Sequence, residues 1–225
     1  MDPRVPVLTI DGPSGAGKGT IAKAVAEKLG WHYLDSGALY RALGVAAMND
    51  GVDLSEETEL VALANKIKLE FKQIPAGEWG VFLDGKEIQQ HLQTEQVGAV
   101  ASKLAVFPAV RDTLKQKQRG FQHHPGLVAD GRDMGSVVFT EAEYKVYLTA
   151  SAEIRGKRRY KQLIEKGISA NLAHVIQDIE ERDSRDKNRS IAPLVIPQDA
   201  LYLDTSNMAV KEVLEQVLNV VNNKT

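Results

Sequence analysis

Gly12-Pro13-Ser14-Gly15-Ala16-Gly17-Lys18-Gly19-Thr20 is the stretch that decides the fold. Before it, Val5-Pro6-Val7-Leu8-Thr9-Ile10 is a β-rich apolar run closed by Asp11-Gly12-Pro13, which predicts a buried strand over 5–10. After it, helix-forming residues extend from Lys18 to Leu29, and Gly30 ends them as a C-terminal glycine does. Strand, glycine turn and helix are the context in which the spacing from Gly12 to Gly17-Lys18 reads as a phosphate-binding loop. Glycines let successive amides turn inward to phosphate oxygens, the helix N-terminus adds partial positive charge, and Lys18 is the cation that reaches the β- and γ-phosphates. The residue after Lys18 is Gly19, and a hydroxyl comes only at Thr20. Mg²⁺ therefore has no hydroxyl ligand at the position directly after the lysine.

Outward from the loop, His32-Tyr33-Leu34 is a second short strand closed by Asp35-Ser36-Gly37, and Ser36 is placed to cap a helix running to about Met48. Repetition of strand, loop and helix opens a doubly wound parallel sheet. No element is assigned from 49 to 65. From Lys66 to Leu92 the pattern changes to short candidate strands, Ile67–Phe71, Glu78–Leu83 and a piece near Ile88, with turns at Gly77 and Asp84-Gly85. This predicts a small antiparallel insert. Helices follow over 94–105 and 108–119, the latter with Pro108 at its first position. Leu127-Val128-Ala129 returns to the parallel sheet, and 144–148 and 201–203 add strands. Helices are predicted over 153–166, 170–185 and 210–221, with Gly167 breaking the first from the second.

Composition narrows the function classes. A net charge of −2 argues against a general nucleic-acid binder, so local basic clusters matter more than the total. With no cysteine, disulfides and thiolate metal sites are excluded, and the five histidines show no metal-ligand spacing. No apolar stretch approaches the ~18 residues of a membrane span and no signal-peptide pattern is seen, so a soluble cytoplasmic protein is expected. Trp31 and Trp79 read as packing residues.

Phosphoryl transfer asks for charge placed around a spreading negative transition state, and the arginine fork matches phosphate oxygens. Arg155, Lys157, Arg158, Arg159 and Lys161 put five cations in seven residues, with Arg155, Arg158 and Arg159 spaced to share a helix face. Farther on, Arg182, Arg185, Asp186 and Arg189 fall on one face if the helix continues that far, at about 100° per residue. Charge runs are commonly solvated, salt-bridged surfaces, and that reading stands beside the phosphate one. Asp130, at the end of an apolar strand, is placed either as the acid that helps hold Mg²⁺ through water or as a turn residue of Asp130-Gly131. Arg132 and Asp133 follow at the carboxyl end of that strand, where open α/β sheets bind ligands.

With these residues in place, the chain resembles the bacterial cytidylate kinases over nearly its whole length. The resemblance rests on four motifs in order: Gly12 to Thr20; Asp35-Ser36-Gly37-Ala38-Leu39-Tyr40-Arg41; Ala129-Asp130-Gly131-Arg132-Asp133-Met134-Gly135; and Glu181-Arg182-Asp183, Arg185-Asp186 and Asn188-Arg189. The glycine after the loop lysine is typical of adenylate kinase and its relatives. The resemblance implies an α/β P-loop kinase fold with a three-layer core and a parallel sheet (1–35, 103–152 and 190–225). An NMP-binding insert containing a small antiparallel sheet (36–102) and a helical lid (153–189) complete it. It implies γ-phosphoryl transfer from ATP, with Mg²⁺, to CMP or dCMP. Ser36, Arg41, Arg132 and Arg189 match the acceptor-phosphate residues, Arg182 and Asp186 those near the ribose, and Ser102, Arg111 and Asp133 those reading the cytosine. Lys18, Arg132, Arg155, Arg159, Arg182 and Arg189 form the expected catalytic set. Gly12, Pro13, Ser14, Gly15, Ala16, Gly17, Lys18, Gly19, Thr20 and Arg158 form the ATP side, and Asp130 the metal side. A monomer without nucleic-acid or membrane partners is expected. The alternatives are another small-molecule P-loop kinase, such as one for UMP, a nucleotide switch, and RNA binding through the basic lid. Asn65-Lys66-Ile67-Lys68 lacks the aspartate a guanine-reading switch needs, and no aromatic stacking surface accompanies the arginines.

Overall fold

The computed structural model describes residues 5–74, 79–165 and 167–223. The first half of the chain runs β1 (Val7–Asp11), α1 (Lys18–Leu29), β2 (His32–Asp35), α2 (Ser36–Asp50), α3 (Glu57–Lys66), β3 (Leu69–Gln73), β4 (Trp79–Leu83), β5 (Lys86–Glu87), α4 (Glu95–Leu104) and α5 (Pro108–Arg119). The second half runs β6 (Leu127–Gly131), β7 (Tyr144–Thr149), α6 (Ala152–Glu165), α7 (Leu172–Asn188), β8 (Leu201–Asp204) and α8 (Val210–Asn222).

Five strands form a wholly parallel sheet in the order β2-β6-β1-β7-β8, with β1 at its centre. Alternation along the strands sorts side chains to two faces. Val7, Leu34, Leu127 and Ala129 face one core, shared with α2, α3, α4 and α5, whereas Leu8, Ile10, Tyr33, Val128, Val146 and Leu148 face the other, shared with α1 and α8. Each fully buried Leu or Ile of these layers contributes roughly 1.5–3 kcal/mol over its exposed state. The result is the expected three-layer α/β core.

The antiparallel insert is β3-β4-β5. Asp84 (φ 49°) and Gly85 (φ 82°) make the tight turn between β4 and β5, with both residues left-handed as a two-residue hairpin requires. The predicted turn at Gly77 and strand start at Glu78 lie outside the described residues, as does Lys166. Phe71 and Trp79 of the insert lean on Tyr33 of the core at ring separations of 5.9 and 5.4 Å. Helices α6 and α7 pack on each other around a small separate cluster, Leu163, Val175 and Ile179.

Two local expectations change. Helix α3 fills the unassigned stretch before the insert, burying Leu60, Leu63 and Ala64 at helical spacing. Asp35, not Ser36, caps α2: its backbone is extended and its Oδ1 accepts from the Ala38 amide at 2.9 Å, which makes Ser36 the first helical residue. Among the described residues, no helix is long and apolar enough to cross a membrane.

Candidate active site

The carboxyl ends of the parallel strands meet at one edge, and the register there sets two acids side by side, Asp35 paired with Asp130 across neighbouring strands. From this edge the glycine loop springs directly off β1. Gly12 has φ 146°, and a Cβ there would come 1.9 Å from the Leu148 carbonyl oxygen, so the position is closed to any side chain. The loop returns into α1 through Gly17 at φ 88°, as a left-handed N-cap.

Lys18 is only 6% exposed, and its Nζ donates to the Pro13 carbonyl at 2.8 Å, curling over the loop it belongs to. Burial, followed by the nearby Arg132, lowers its pKa to about 7. Asp130 is pushed the other way, up to about 6, by burial and then by Asp35; its Oδ2 accepts from the Tyr33 hydroxyl at 2.8 Å. Arg182 falls to about 10, again through burial and then Arg132. Cations crowded enough to depress one another mark a place where negative charge is favoured.

Two adjoining clefts, about 1170 and 960 Å³, share Ser14, Gly15, Lys18, Gly19, Asp35, Arg41, Ser102, Arg182 and Arg185. Each volume suits a nucleotide. The first is lined by Ser14 through Thr20 together with Arg158, Arg159 and Thr205, and the second by Ser36, Tyr40, Arg111, Asp130, Arg132, Asp133, Asp186 and Arg189. Ser102 lies at the junction, with its hydroxyl turned onto the Gly98 carbonyl at 3.0 Å.

The arginines of the second cleft are held by protein acceptors that leave donors over. Arg41 pairs with Asp35 at 3.1 Å, and Arg132 with Asp186 at 2.8 Å. Arg111 is bound to Asp133 in a buried pair and also donates to the Ala105 carbonyl at 3.3 Å. Arg189 donates from Nε to the Ala192 carbonyl. Among the described residues, three buried arginine nitrogens nonetheless have no protein partner: Arg41 Nε, Arg182 Nε and Arg189 Nη2. Unsatisfied buried donors are costly, so a cluster of them points to an anionic ligand.

Arg155 is the member of the expected set that lines neither cleft. Its Nε donates to Ala150 O at 2.8 Å, one Nη to Ser14 O and to Asp183 Oδ1, both at 3.0 Å, and the other to Asp183 Oδ2 at 2.5 Å. It braces the loop from behind, while Arg159, one turn on, lines the first cleft. Arg158 is fastened to Thr205, through its hydroxyl at 3.1 Å and its carbonyl at 2.6 Å. Gly12 and Pro13 shape the loop without lining the cleft.

Sequence reasoning missed the partners that hold these groups: Tyr33 on Asp130, Asp35 on Arg41, Asp183 on Arg155, Tyr40 beside Arg111 at 5.9 Å, and Thr205 beneath the loop. Asp35, Tyr40 and Asp183 stand inside motifs already quoted, which was the available signal. As for Mg²⁺, among the described residues no group of three or more His, Cys, Asp or Glu could hold a metal ion unaided. The buried Asp130, with Asp35 on the neighbouring strand, fits a cation that keeps waters and takes other ligands from phosphates.

A family model described as cytidylate kinase matches residues 8–223. The cytidylate kinase of Methylococcus capsulatus is 56% identical over 221 residues, covering 98% of this chain and 99% of that protein. Those of Aeromonas salmonicida and Colwellia psychrerythraea are 51% and 48% identical, covering 97% and 100% of this chain and 94% and 99% of theirs.

Proposed function

The chain belongs to the cytidylate kinase family, and from that premise we propose that it transfers the γ-phosphoryl group of ATP to CMP or dCMP, giving ADP and CDP or dCDP. The observation that carries this reading is the meeting of two nucleotide-sized clefts at Lys18, Arg41 and Arg182, ringed by buried arginine donors without protein partners.

ATP takes the first cleft, its phosphates wrapped by Ser14 through Thr20 and by Lys18. Lys18 spends one donor on the Pro13 carbonyl and has two more for them. The acceptor phosphate takes Ser36, Arg41, Arg132 and Arg189, and the ribose lies by Arg182 and Asp186. No general base is required, because the nucleophile is already a phosphate oxygen. What the protein supplies is position and positive charge around the transferring group.

Ser102, Arg111 and Asp133 read the base. Cytosine presents an amino donor beside ring acceptors, which a carboxylate and a guanidinium complement. Uracil reverses that edge and turns a carbonyl on Asp133, leaving buried groups unpaired, which is costly. Mg²⁺, when bound, neutralises phosphate charge, and Asp130, steadied by Tyr33, is the residue that would hold it, directly or through water. Residues 36–102 act as the NMP-binding part and 153–189 as a lid, closing with Arg158 and Arg159 over ATP to exclude water. The protein works as a cytoplasmic monomer.

The test is phosphorylation measured across CMP, dCMP, UMP, AMP and GMP with ATP as donor. CMP and dCMP should be strongly preferred; preference for a purine, or for UMP, overturns the reading.

A further inference from the structure

Asp11 is the last residue of β1, is wholly buried and lines neither cleft. Its hydrogen-bond partners are backbone amides, although it also feels the charge of Lys18. Oδ1 accepts from the Met134 amide at 2.8 Å and Oδ2 from the Gly135 amide at 2.7 Å, so both oxygens are spent on the start of the π-type turn Met134–Val138. Gly135 is pressed so closely on β1 that a Cβ there would lie 2.8 Å from Thr9 Oγ1, and the missing side chain is what lets its amide approach Asp11.

The residue immediately before this clamp is Asp133. Its carbonyl accepts from the Val137 and Val138 amides at 2.9 and 3.1 Å. The peptide between Asp133 and Met134 is thus gripped at both ends, its oxygen by the turn and its N–H by Asp11. Fixing that peptide plane fixes the ψ of Asp133 (24°, with φ −145°), and with it the direction in which the Asp133 side chain leaves the backbone towards Arg111. Asp11 is also the residue before Gly12, and pairs across the sheet with Gly131. One carboxylate ties the root of the donor loop to the root of the base-reading segment.

We infer that Asp11 is a positioning residue for acceptor choice: its carboxylate holds the Asp133–Met134 peptide, and so aims Asp133 at the pyrimidine edge. This rests on the reading above that Asp133 contacts the base.

The test compares wild type, Asp11→Asn, Asp133→Ala and the double variant, using kcat/KM for CMP and UMP and KM for ATP. The Asn amide turns an N–H donor onto a backbone donor, so Asp11→Asn should lower the CMP-over-UMP ratio by about tenfold. KM for ATP should stay within about twofold, and in the Asp133→Ala background the added loss of discrimination should be below about twofold, because the two act on one contact. Equal losses for CMP and UMP, a parallel rise in KM for ATP, or additive effects in the double variant overturn the inference and leave Asp11 a structural residue. If Asp133→Ala itself keeps the CMP preference, the reading of the base site fails, and the inference with it. Loss of preference in Asp133→Ala but not in Asp11→Asn sinks the inference alone. Should Asp11→Asn not fold, amide exchange in the wild type still decides the premise: the Met134 and Gly135 amides should be among the slowest to exchange, and rapid exchange of either contradicts the clamp.

Discussion

Replacing Asp183 by alanine removes both carboxylate contacts of Arg155 and leaves the guanidinium inside. The pair is enclosed, the Arg155 side chain being 4% exposed and that of Asp183 13%. Breaking a buried ion pair from one side costs about 3–5 kcal/mol, mostly the uncompensated charge left behind. Because the space vacated by Asp183 has some access to water, the lower end applies, about 3 kcal/mol. For a chain of this size that corresponds to a fall of roughly 6–12 °C in melting temperature. Urea unfolding with fluorescence detection reads the loss directly. Arg155→Met with Asp183→Leu removes both charges and fills the space, and should recover most of the stability. It should not recover ATP binding, since the Ser14 carbonyl has lost the donor that braces the loop from behind. KM for ATP should rise by about tenfold, with KM for CMP little changed. A loss below about 1 kcal/mol in Asp183→Ala, the worth of an exposed pair, refutes this reasoning, as does a double variant no more stable than the single one.

Lys18 gives a pH prediction. Burial and then Arg132 hold its pKa near 7 in the free protein, and bound phosphates should restore it towards the ordinary value, so ATP binding takes up a proton above pH 7. Calorimetry in buffers of different ionisation heat should show that uptake, with affinity falling as pH rises by at most about tenfold per unit; proton release contradicts it. Gly44→Leu should wedge α2 from α4, since even a Cβ at Gly44 lies 2.9 Å from Val100 Cγ1. It should cost about 1–3 kcal/mol in denaturant unfolding, and a neutral result shows that the helices have room to shift.

The contiguous parts of the site were legible because their physics is local. Gly12 to Thr20 needs only its own φ angles and the helix that follows. The strands alternate between two cores, and the Asp84-Gly85 turn announces its hairpin in two letters. Helix α3 escaped because only Leu60, Leu63 and Ala64 mark its buried face, too few for periodicity to stand out from flanking loops. Asp35 and Ser36 are both good caps by type, and only the extended backbone of Asp35 decides between them. The spacing of Arg155, Arg158 and Arg159 predicts one shared helix face, yet of the three only Arg158 and Arg159 line the cleft. Spacing does not say that the first turn of α6 packs behind the glycine loop while the next faces the cleft. Asp11 and Asp183 act over separations of 123 and 28 residues; the motif around Asp183 marks it as notable without naming Arg155, and nothing near Asp11 foretells a partner that far along the chain.

The most direct test is a crystal structure of the protein with CMP bound. The cytosine amino group should lie on Asp133, Arg111 at the ring acceptors, and the phosphate should take up the free nitrogens of Arg41 and Arg189. A base lying away from Asp133 and Arg111, or a phosphate outside the arginine ring, contradicts that arrangement.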